Sequence, residues 1–389
     1  MKIRGSGAVE NVGEQGRVTS MVKRSHNRKT LASLAAELGV SRTTVSNAYN
    51  RPDQLAPATR ERILTAAAAH GYTGPDPTAR SLRTRRADST GVLLTEHLSY
   101  AFEDAASVDF LAGMAEASTG AATTLTLIPA GPDAPSDDAA ALLARAAVDG
   151  FVIYSVSAGS VAAAAQRGLP VVVCDQPKDS GLPFVGIDDR AAIKPAARAL
   201  VDAGHRNIGI LCIRLRHERL DGFVTREQVE AADMHVQRDR VLGALDVFDD
   251  AALSEVPIVT RHINDASTAR AAAEELLAAR PELTAVLCTT DSMALGVLGV
   301  LRDAGLAAPK DLSVTGFDGI TTALLVGLAT VVQPNKAKGA AAGHMLAEHI
   351  DAALSETAPV HDHKLLPTRF NEGTTVGSPR EQHFLDWQL

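Results

Sequence analysis

Aromatic side chains are scarce in this 389-residue chain, where Phe, Trp and Tyr together make up only 4% of the residues. Smaller aliphatic side chains, chiefly Ala, Leu and Val, must therefore fill the interior, and an apolar content of 46% is enough to bury sizeable cores. The chain is long for a single core, which predicts two or three domains in a globular protein.

Cysteines are few, and long apolar runs are missing. Cys174, Cys212 and Cys288 each lie within a short apolar run, and none belongs to a CxxC pair. Buried free thiols in a reducing compartment explain this pattern better than disulfides do. No run approaches the roughly 20 apolar residues that span a bilayer, and the first residues lack the apolar core of a signal peptide. We therefore expect a cytoplasmic protein.

Motifs of common enzyme classes are missing as well. The sequence has neither the GxSxG turn of a serine hydrolase nor the phosphate-binding GxxxxGK[ST] loop. The two histidines of the HDH segment, residues 361–363, lie in a polar stretch and are interpreted as solvated side chains. The sequence therefore predicts no enzymatic activity, no cofactor and no metal site.

Positive charge is concentrated at the N-terminal end of the chain. Residues 1–86 contain 15 Lys and Arg against 6 Asp and Glu, whereas the remainder contains 23 against 40. The overall net charge of -8 hides this division. A basic head on an acidic body predicts that the head binds a polyanion such as nucleic acid.

The head contains three short helical patterns. Thr30 is a suitable N-cap for a first helix that Gly39 ends, and Ser41 is a suitable N-cap for a second helix running to about Asn50. A third helix begins near Pro57 and extends to about residue 70. Helix, tight glycine turn and helix is the arrangement of the helix-turn-helix motif.

The second helix carries side chains suited to DNA. Only Val45 and Ala48 have to face inward, against the first helix. Arg can pair with the O6 and N7 atoms of guanine, Asn can pair with adenine, and the Thr methyl group can contact the thymine methyl group. We prefer this interpretation to that of a merely solvent-exposed polar helix. The helix-turn-helix geometry would bring these side chains to the base edges: Ser41, Arg42, Thr43, Thr44 and Asn47.

From residue 90 onward, strand-like apolar runs alternate with Ala-rich helical stretches. This alternation predicts doubly wound parallel sheets, two of them in a segment of this length. Polar groups that bind a ligand should then gather where the strands end at a crevice. The predicted strands lie at 91–95, 123–128, 151–155, 170–174, 207–212, 284–288 and 312–317.

Four candidate ligand residues follow from those strand ends. Aromatic faces combined with carboxylates suit a polyol or a heterocyclic ring. A purely structural role stays open for each of them. The candidates are Tyr100, Phe102 and Asp104 after the first strand, and Asp175 after the PVVVC strand.

Several longer segments together resemble one known family. TLASLAAELGVSRTTVSNAYN, followed by TRERILTAAAAHGY and TARSLR, is similar to the DNA-binding head and hinge of the lactose-repressor (LacI) family of bacterial transcription regulators. AGHRNIGIL, TTDSMALGVLGVLRDAGL and LSVTGFD extend the resemblance over nearly the whole chain from residue 29. The resemblance implies a homodimer that binds pseudo-palindromic operator DNA. It also implies a core like that of periplasmic sugar-binding proteins, holding a small effector that is sugar-like or nucleobase-like.

The resemblance assigns roles to positions in the head and hinge. Arg42, Thr43 and Asn47 match base-reading positions, although some members have Arg where this chain has Asn47, so the operator sequence cannot be transferred. Leu82 matches the hinge leucine that wedges into the minor groove and kinks the duplex. The other matched DNA-contact positions are Thr30, Ser41, Arg51 and Ala79.

The resemblance also assigns effector-binding positions in the core. Asp291, directly after the TAVLCTT segment, matches the family's effector-binding aspartate, and the RDRVLG segment points to Arg240 as the ligand arginine. Arg219, in the similar segment RLDGF, is an alternative to Arg240, within a polar stretch that is longer than in the shorter members of the family. Asp318, in the GFD segment, is assigned a structural role.

These observations divide the chain into four parts. We predict a disordered basic arm at 1–28, a helix-turn-helix domain at 29–73, a hinge with a short helix at 74–89, and an effector-binding and dimerisation core at 90–389. Within the core, one subdomain is placed at about 90–188 and 334–358, and the other at about 189–333 and 359–375.

The sequence thus predicts an effector-controlled transcriptional repressor. The effector is an inducer or a corepressor, and the sequence does not choose between them. A dimer is favoured over a tetramer because the C-terminal tail shows no leucine heptad. The alternatives from other classes are a sugar-binding or transport protein and an enzyme that acts on a small carbohydrate.

Overall fold

The computed structural model describes residues 30–74, 81, 84, 86–94, 98, 100–119, 123–129, 136–155, 158–253, 255–359 and 363–381. The chain divides into two compact units, Met1–Arg85 and Arg86–Leu389. The predicted arm at 1–28 and the predicted hinge contacts Ala79 and Leu82 lie outside the described residues, as does the side chain of Tyr100.

Three α-helices form the described part of the head. The first helix begins at the N-cap Thr30, whose hydroxyl accepts a hydrogen bond from the Ser33 N–H, and ends at Gly39. Gly39 has a φ of 63°, a left-handed conformation that glycine adopts without strain. The helix-turn-helix arrangement predicted from the sequence is therefore confirmed. The helices are α1 (Leu31–Leu38), α2 (Arg42–Asn50) and α3 (Pro57–Ala69), with a short 3-10 helix at Pro52–Gln54 between the last two.

A small apolar core holds these helices together. Val45 and Ala48 of α2 are completely buried, as the sequence predicts. Because α2 contributes only these two buried side chains, the rest of its surface stays available for polar contacts. The buried core consists of Leu34, Ala35, Val45, Ala48, Ile63 and Ala67.

The second unit is an α/β core built on two sheets, which confirms the predicted fold class. Its strands are β1 (Ser89–Leu94), β2 (Thr124–Pro129), β3 (Gly150–Tyr154), β4 (Val171–Cys174), β5 (Phe184–Gly186), β6 (Ile208–Ile213), β7 (Gly222–Val224), β8 (Ile258–Arg261), β9 (Ala285–Cys288), β10 (Ser313–Asp318), β11 (Ala329–Val332), β12 (His363–Leu365) and β13 (Arg369–Asn371).

The two sheets have the strand orders of doubly wound folds. The first sheet runs β12-β5-β4-β3-β1-β2 and is parallel throughout. The second runs β13-β11-β10-β9-β6-β8-β7, with antiparallel strands only at its two edges. The chain passes from the first sheet to the second after β5, returns after β11, and passes again between β12 and β13. Each sheet and its helices form one half of the core.

One predicted boundary needs correction. The sequence analysis assigns residues 359–375 to the second half of the core, but β12 pairs in parallel with β5 of the first sheet. Residues 366–368 then carry the chain to β13, which pairs with β11 of the second sheet. The crossing therefore comes after Leu365, because the edge of the first sheet is extended by one more strand before the chain leaves it.

Helices cover both faces of each sheet. Four hydrophobic clusters of the core result, and aliphatic side chains fill most of them, as the shortage of aromatic residues requires. The described helices of this unit are α4 (Tyr100–Glu103), α5 (Ala105–Ser118), α6 (Ser136–Arg145), α7 (Ala158–Ala165), α8 (Asp189–Asp202), α9 (Arg226–Glu230), α10 (His235–Asp250), α11 (Ala266–Ala279), α12 (Asp291–Asp303), α13 (Thr321–Leu325) and α14 (Asn335–Ser355).

The three cysteines lie where the sequence predicts. Cys174, Cys212 and Cys288 are buried in β4, β6 and β9, and all three are free thiols. Burial raises the pKa of the Cys212 thiol to about 12, so this side chain stays protonated. Of the helices in the described parts of the chain, none combines the length and apolar character that crossing a membrane requires.

Helices α5 and α14 of the first half approach each other unusually closely. A Cβ atom at Gly113 of α5 would overlap the carbonyl oxygen of Lys336, and a Cβ atom at Gly339 of α14 would overlap the carbonyl oxygen of Phe110. Two glycines facing each other's helix backbone therefore set the distance between the helices and hold α14 firmly against the first half.

We expect Gly113→Ala to lower the free energy of unfolding of the core by about 1–3 kcal/mol, because the added methyl group must displace helix α14. Urea unfolding followed by circular dichroism measures the change. Gly159→Ala, in α7, is the matched control, since no atom lies within 4 Å of the position of its Cβ. Equal losses of stability in the two variants would contradict the close packing of α5 and α14.

Candidate functional site

The outward face of α2 presents polar side chains on the side opposite the buried pair Val45 and Ala48. Thr43, Asn47 and Asn50 recur at helical spacing and so share one face, and Arg42 flanks them at the helix N-terminus. Arg42, Thr43 and Asn50 are exposed, whereas Asn47 is half-buried. The head therefore places hydrogen-bonding groups of the types that read bases along one accessible strip.

Two of the predicted DNA contacts also hold the helices together. The Thr30 hydroxyl forms a reciprocal capping pair with Ser33, and the Ser41 hydroxyl accepts a hydrogen bond of 3.0 Å from the Thr44 N–H. Arg51 follows α2 as its C-terminal cap residue and is exposed. Substituting Thr30 or Ser41 would therefore remove a helix cap as well as any contact with DNA.

Gln54 lies beside the strip of polar side chains on α2. Gln54 ends the 3-10 helix, and its Oε1 accepts a hydrogen bond of 3.3 Å from the Asn47 Nδ2. The RPDQ segment, residues 51–54, has the composition of a turn, and only the fold shows that this turn brings Gln54 back to α2. This hydrogen bond orients the Asn47 amide, and the Asn47 Oδ1 then points away from Gln54.

The core contains a cavity of about 120 Å³ lined by residues from both halves. Most of its polar walls lie at the carboxyl ends of parallel strands, which is where open α/β sheets bind ligands. Tyr154 ends β3, Asp175 follows β4, Arg214 follows β6 and Asp318 ends β10. The predicted location of the ligand crevice therefore coincides with an actual cavity.

Arg240 of α10 is fixed in the cavity wall by several contacts. Its Nε donates to Asp189 Oδ1 at 2.8 Å and its Nη1 donates to the Thr289 carbonyl oxygen at 2.9 Å. The guanidinium lies 3.8 Å from the ring centroid of Phe317, a cation–π arrangement. Burial alone would lower the pKa of Arg240, but the carboxyls of Asp189 and Asp318 reverse the effect, so the side chain is a fixed buried cation.

The two acids beside Arg240 differ in charge at neutral pH. Burial raises the pKa of Asp189 to about 6 against the opposing effect of Arg240, so this carboxyl is mainly ionised at pH 7. Burial raises the pKa of Asp318 to about 8, with Arg240 again opposing and Asp291 adding to the rise. Asp318 is therefore mainly protonated, and its closest approach to Arg240 is a long 3.5 Å. Asp318 thus gives the cavity wall a carboxylic O–H donor, whereas Asp189 lies behind Arg240, outside the lining of the cavity.

The carboxyl of Asp291 does not line the cavity. Asp291 is 0% exposed, and its oxygens accept hydrogen bonds from the Thr330 hydroxyl at 2.6 Å and from the Ile320 N–H at 2.9 Å. Thr290, one residue earlier, lines the cavity instead. Asp291 lies just after a strand end, as predicted, but its carboxyl points away from the cavity. There it links β11 to the segment that follows β10.

Some of the other predicted ligand residues line the cavity, and others do not. Asp104 and Asp175 line it, and Asp104 also caps α5 by accepting the Ser107 N–H at 2.8 Å. Phe102 is outside the wall, with 62% of its surface exposed on α4. Arg219 is outside it as well: its Nε donates at 2.8 Å to Asp221 on the surface. Of the two candidate arginines, the structure therefore places only Arg240 at the cavity.

Several cavity residues were missed by the sequence analysis. The long polar segment between Cys212 and Arg238 forms β7 and α9, and its two ends supply part of the wall. Gln176 joins the halves, because its Oε1 accepts a hydrogen bond of 3.0 Å from the Val236 N–H. The only sequence signal for the segment between Cys212 and Arg238 was that it is longer than in the shorter members of the family. The missed residues include Gln176, Arg214, Met234, Gln237, Asn264 and Gln333.

Comparison with protein families agrees with both parts of the structure. Residues 30–74 match the family described as bacterial regulatory proteins, lacI family. Residues 87–374 match the family of periplasmic binding proteins and sugar binding domain of LacI family. Together the two matches span both described units.

Individual relatives agree with the family matches. The chain is 55% identical over 354 residues to the HTH-type transcriptional regulator IpsA of Corynebacterium glutamicum, covering 89% of this chain and 97% of that protein. A crystal structure of a LacI-family transcriptional regulator from Corynebacterium glutamicum is 50% identical, with a TM-score of 0.70, covering 89% of this chain and 98% of that one. The complex of the transcriptional regulator CelR with cellobiose is 25% identical, with a TM-score of 0.64, covering 90% of this chain and 100% of that one.

We expect the protonated state of Asp318 to make the core less stable as pH rises. The folded pKa of about 8 exceeds the ordinary value of about 3.9, so between these values the folded state holds a proton that the unfolded state has lost. Stability therefore decreases as pH rises towards 8. Asp189 acts in the same direction up to about pH 6.

Asp318→Asn should accordingly remove up to about 2 kcal/mol of the difference in unfolding free energy between pH 6 and pH 8. Urea unfolding at the two pH values measures it. The control is Asp250→Asn, at an exposed position on α10, which should keep the wild-type dependence. An unchanged slope in the Asp318 variant would show that this carboxyl is ionised in the folded core.

Proposed function

Because the chain belongs to the LacI family of bacterial regulatory proteins, we propose that it is a homodimeric repressor whose affinity for operator DNA is set by a small polyhydroxylated molecule bound between the halves of its core. The family supplies a DNA-binding regulator with an effector-binding core. Beyond the family, we propose that the protein is a dimer, that its operator is pseudo-palindromic, that it represses transcription and that its effector is a polyol. The observation that carries the effector class is the cavity at the strand ends, with its mixed donors and acceptors.

A dimer follows from how little DNA one head can read. Helix α2 has nine residues, and its reading strip covers only a few base pairs. Helix-turn-helix proteins obtain a longer site by pairing two heads on two half-sites about one helical turn apart, which makes the operator pseudo-palindromic. We assign base contacts to Arg42, Thr43 and Asn47. Thr30, Ser41 and Arg51 are assigned to the phosphate backbone.

The cavity chemistry favours a polyol over a nucleobase. Of the described lining residues, Tyr154 is the only aromatic one, and its ring is already stacked on Phe110 with centroids 4.0 Å apart. A flat heterocycle could therefore not be sandwiched between two aromatic rings of the described lining, whereas sugar hydroxyls match its carboxylates, amides and guanidinium groups. The complex of CelR, which contains cellobiose, is consistent with such a ligand. We assign effector contacts to Asp104, Asp175, Arg240 and Asp318, and leave out Phe102 and Asp291.

Control of DNA binding then needs only a difference in affinity. An effector that prefers one arrangement of the halves shifts the protein towards it by that difference and by no more. We propose that the favoured arrangement separates the two hinges of the dimer and releases the operator. Stronger DNA binding with the effector present would make it a corepressor instead. An enzymatic role is the rival interpretation, and turnover of the bound sugar would favour it.

The reading assignment is tested with duplexes selected by the wild-type protein from a randomised library. Arg42→Ala and Asn47→Ala should each reduce the preference for selected over random duplex roughly tenfold to a hundredfold, because each loses a base contact. Arg51→Ala should weaken binding to both duplexes equally and lower the salt slope by ~0.9, because it loses a phosphate contact. Uniform losses in all three variants would contradict the assignment.

The effector site is tested by thermal shift with cellobiose, ribose, glucose, mannitol, adenine and guanine. A sugar or polyol should raise the melting temperature, since a ligand that binds only the folded protein stabilises it. Arg240→Lys should lose this rise, whereas Arg219→Lys should keep it. Stabilisation by a nucleobase alone would overturn the polyol class, and an unchanged rise in Arg240→Lys would move the site elsewhere.

A further inference from the structure

A lysine is completely buried at the edge of the cavity wall. Lys338, one turn into helix α14, is 0% exposed, although a buried ammonium ion is unfavourable unless it is paired and fully hydrogen-bonded. It lies close to Gly339, so it sits on the part of α14 that packs against α5. The base of this side chain therefore belongs firmly to the first half of the core.

All three donors of Lys338 are in use. Its Nζ donates to both carboxylate oxygens of Asp175, at 3.0 and 2.7 Å, and to the Oε1 of Gln333 at 2.8 Å. An ammonium group has three N–H donors and no acceptor, so these contacts satisfy it completely. Burial alone would lower the pKa of Lys338, but the Asp175 carboxylate outweighs burial and the pKa is raised. The lysine is therefore a cation at neutral pH.

The lysine also fixes the orientation of Gln333. Because Lys338 can only donate, the amide atom that faces it must be the oxygen, and the Gln333 nitrogen is left to point the other way. That nitrogen, Nε2, donates to Asp318 Oδ1 at 2.6 Å. One lysine thus connects two acids through a single amide whose orientation cannot be reversed without bringing two donors together.

The two connected acids lie on opposite halves of the core. Asp175 follows β4 of the first sheet, and Asp318 ends β10 of the second. Both line the cavity, and Gln333 lies in the segment that carries the chain from β11 back to the first half. A rotation that changes the separation of the two acids must stretch or bend one of these buried hydrogen bonds, which costs free energy in a poorly solvated interior.

We propose that Lys338 is a positioning residue that sets the closure of the cleft by holding Asp175 and, through Gln333, Asp318. The inference rests on the proposed function in that the cleft is the effector site. In effector-free protein the lysine and amide hold the two acids at a fixed separation. The separation of the two carboxyls then selects effectors whose hydroxyls can contact both acids. An effector that moves the acids apart must lengthen the hydrogen bonds of Lys338 and Gln333.

The closure is measured in effector-free protein by the distance between spin labels on the two halves. Labels attach to the introduced cysteines of Gln166→Cys and Lys310→Cys, both at exposed positions, while the three native cysteines are buried. Lys338→Met should shift the mean distance by more than about 2 Å or broaden its distribution. Lys336→Met is the matched control, because Lys336 lies on the same helix but pairs with Glu116 on the surface.

Two further variants separate positioning from folding. Gln333→Leu keeps the pair of Lys338 and Asp175 but cuts the link to Asp318, so it should change the distance distribution as Lys338→Met does. Lys338→Arg keeps the cation and should restore the wild-type distribution at least in part. If Lys338→Met does not fold, Gln333→Leu decides the question. A lower melting temperature with an unchanged distribution would overturn the proposal.

Thermal shift with the sugars tests the effector proposal separately from the role of Lys338. If cellobiose, ribose, glucose or mannitol stabilises the wild-type protein, Lys338→Met should lose that stabilisation and Lys336→Met should keep it. If none of them binds, the effector proposal fails, but the distance measurement still stands because it uses no effector. A sugar response unchanged in Lys338→Met would show that the lysine does not position the site.

Discussion

Burial of charge between two sheets is the constraint on which the core depends. Each half ends its parallel strands with polar side chains, and the halves face each other, so ionised groups are removed from water in the cavity wall. Removing a charge from water is unfavourable unless a partner compensates it. Lys338 meets Asp175, Arg240 meets Asp189, and Asp318 avoids the cost by keeping its proton. The contacts that offset the cost of burying these charges therefore also hold the side chains of the site in fixed positions.

In the head, polar side chains stabilise helices instead of compensating buried charge. Its apolar core is small, so caps and turns must do much of the work of fixing its helices. Thr30 and Ser41 use their hydroxyls for this purpose, and Arg60 and Arg62 donate to the carbonyl oxygens of Ala48 and Leu38. Polar side chains that look interchangeable in the sequence are thus divided between those that hold the helices and those that remain exposed along α2.

Periodic and local patterns in the sequence predicted the structure correctly. Caps, the glycine turn and the inward pair Val45 and Ala48 follow from spacing within one helix, and the parallel sheets follow from alternating runs. Short edge strands were not predictable in this way, since β12 has three residues and no distinctive pattern. The position of Asp291 at a strand end was predictable, but the direction of its carboxyl was not, because that direction depends on Thr330, 39 residues away in the chain.

What the sequence by itself determined is the family, the two kinds of domain and the polar helix that follows the glycine turn, because local patterns and long similar segments carry that information. Tertiary structure alone decided which acids share the cavity, why Arg240 reaches it and Arg219 does not, and that a buried lysine joins the halves. Lys338 lies in an unremarkable Ala-rich helix, and nothing within that helix marks it. Its role arises because α14 crosses to the first half beside Asp175, 163 residues earlier in the chain, and only folding brings the two together.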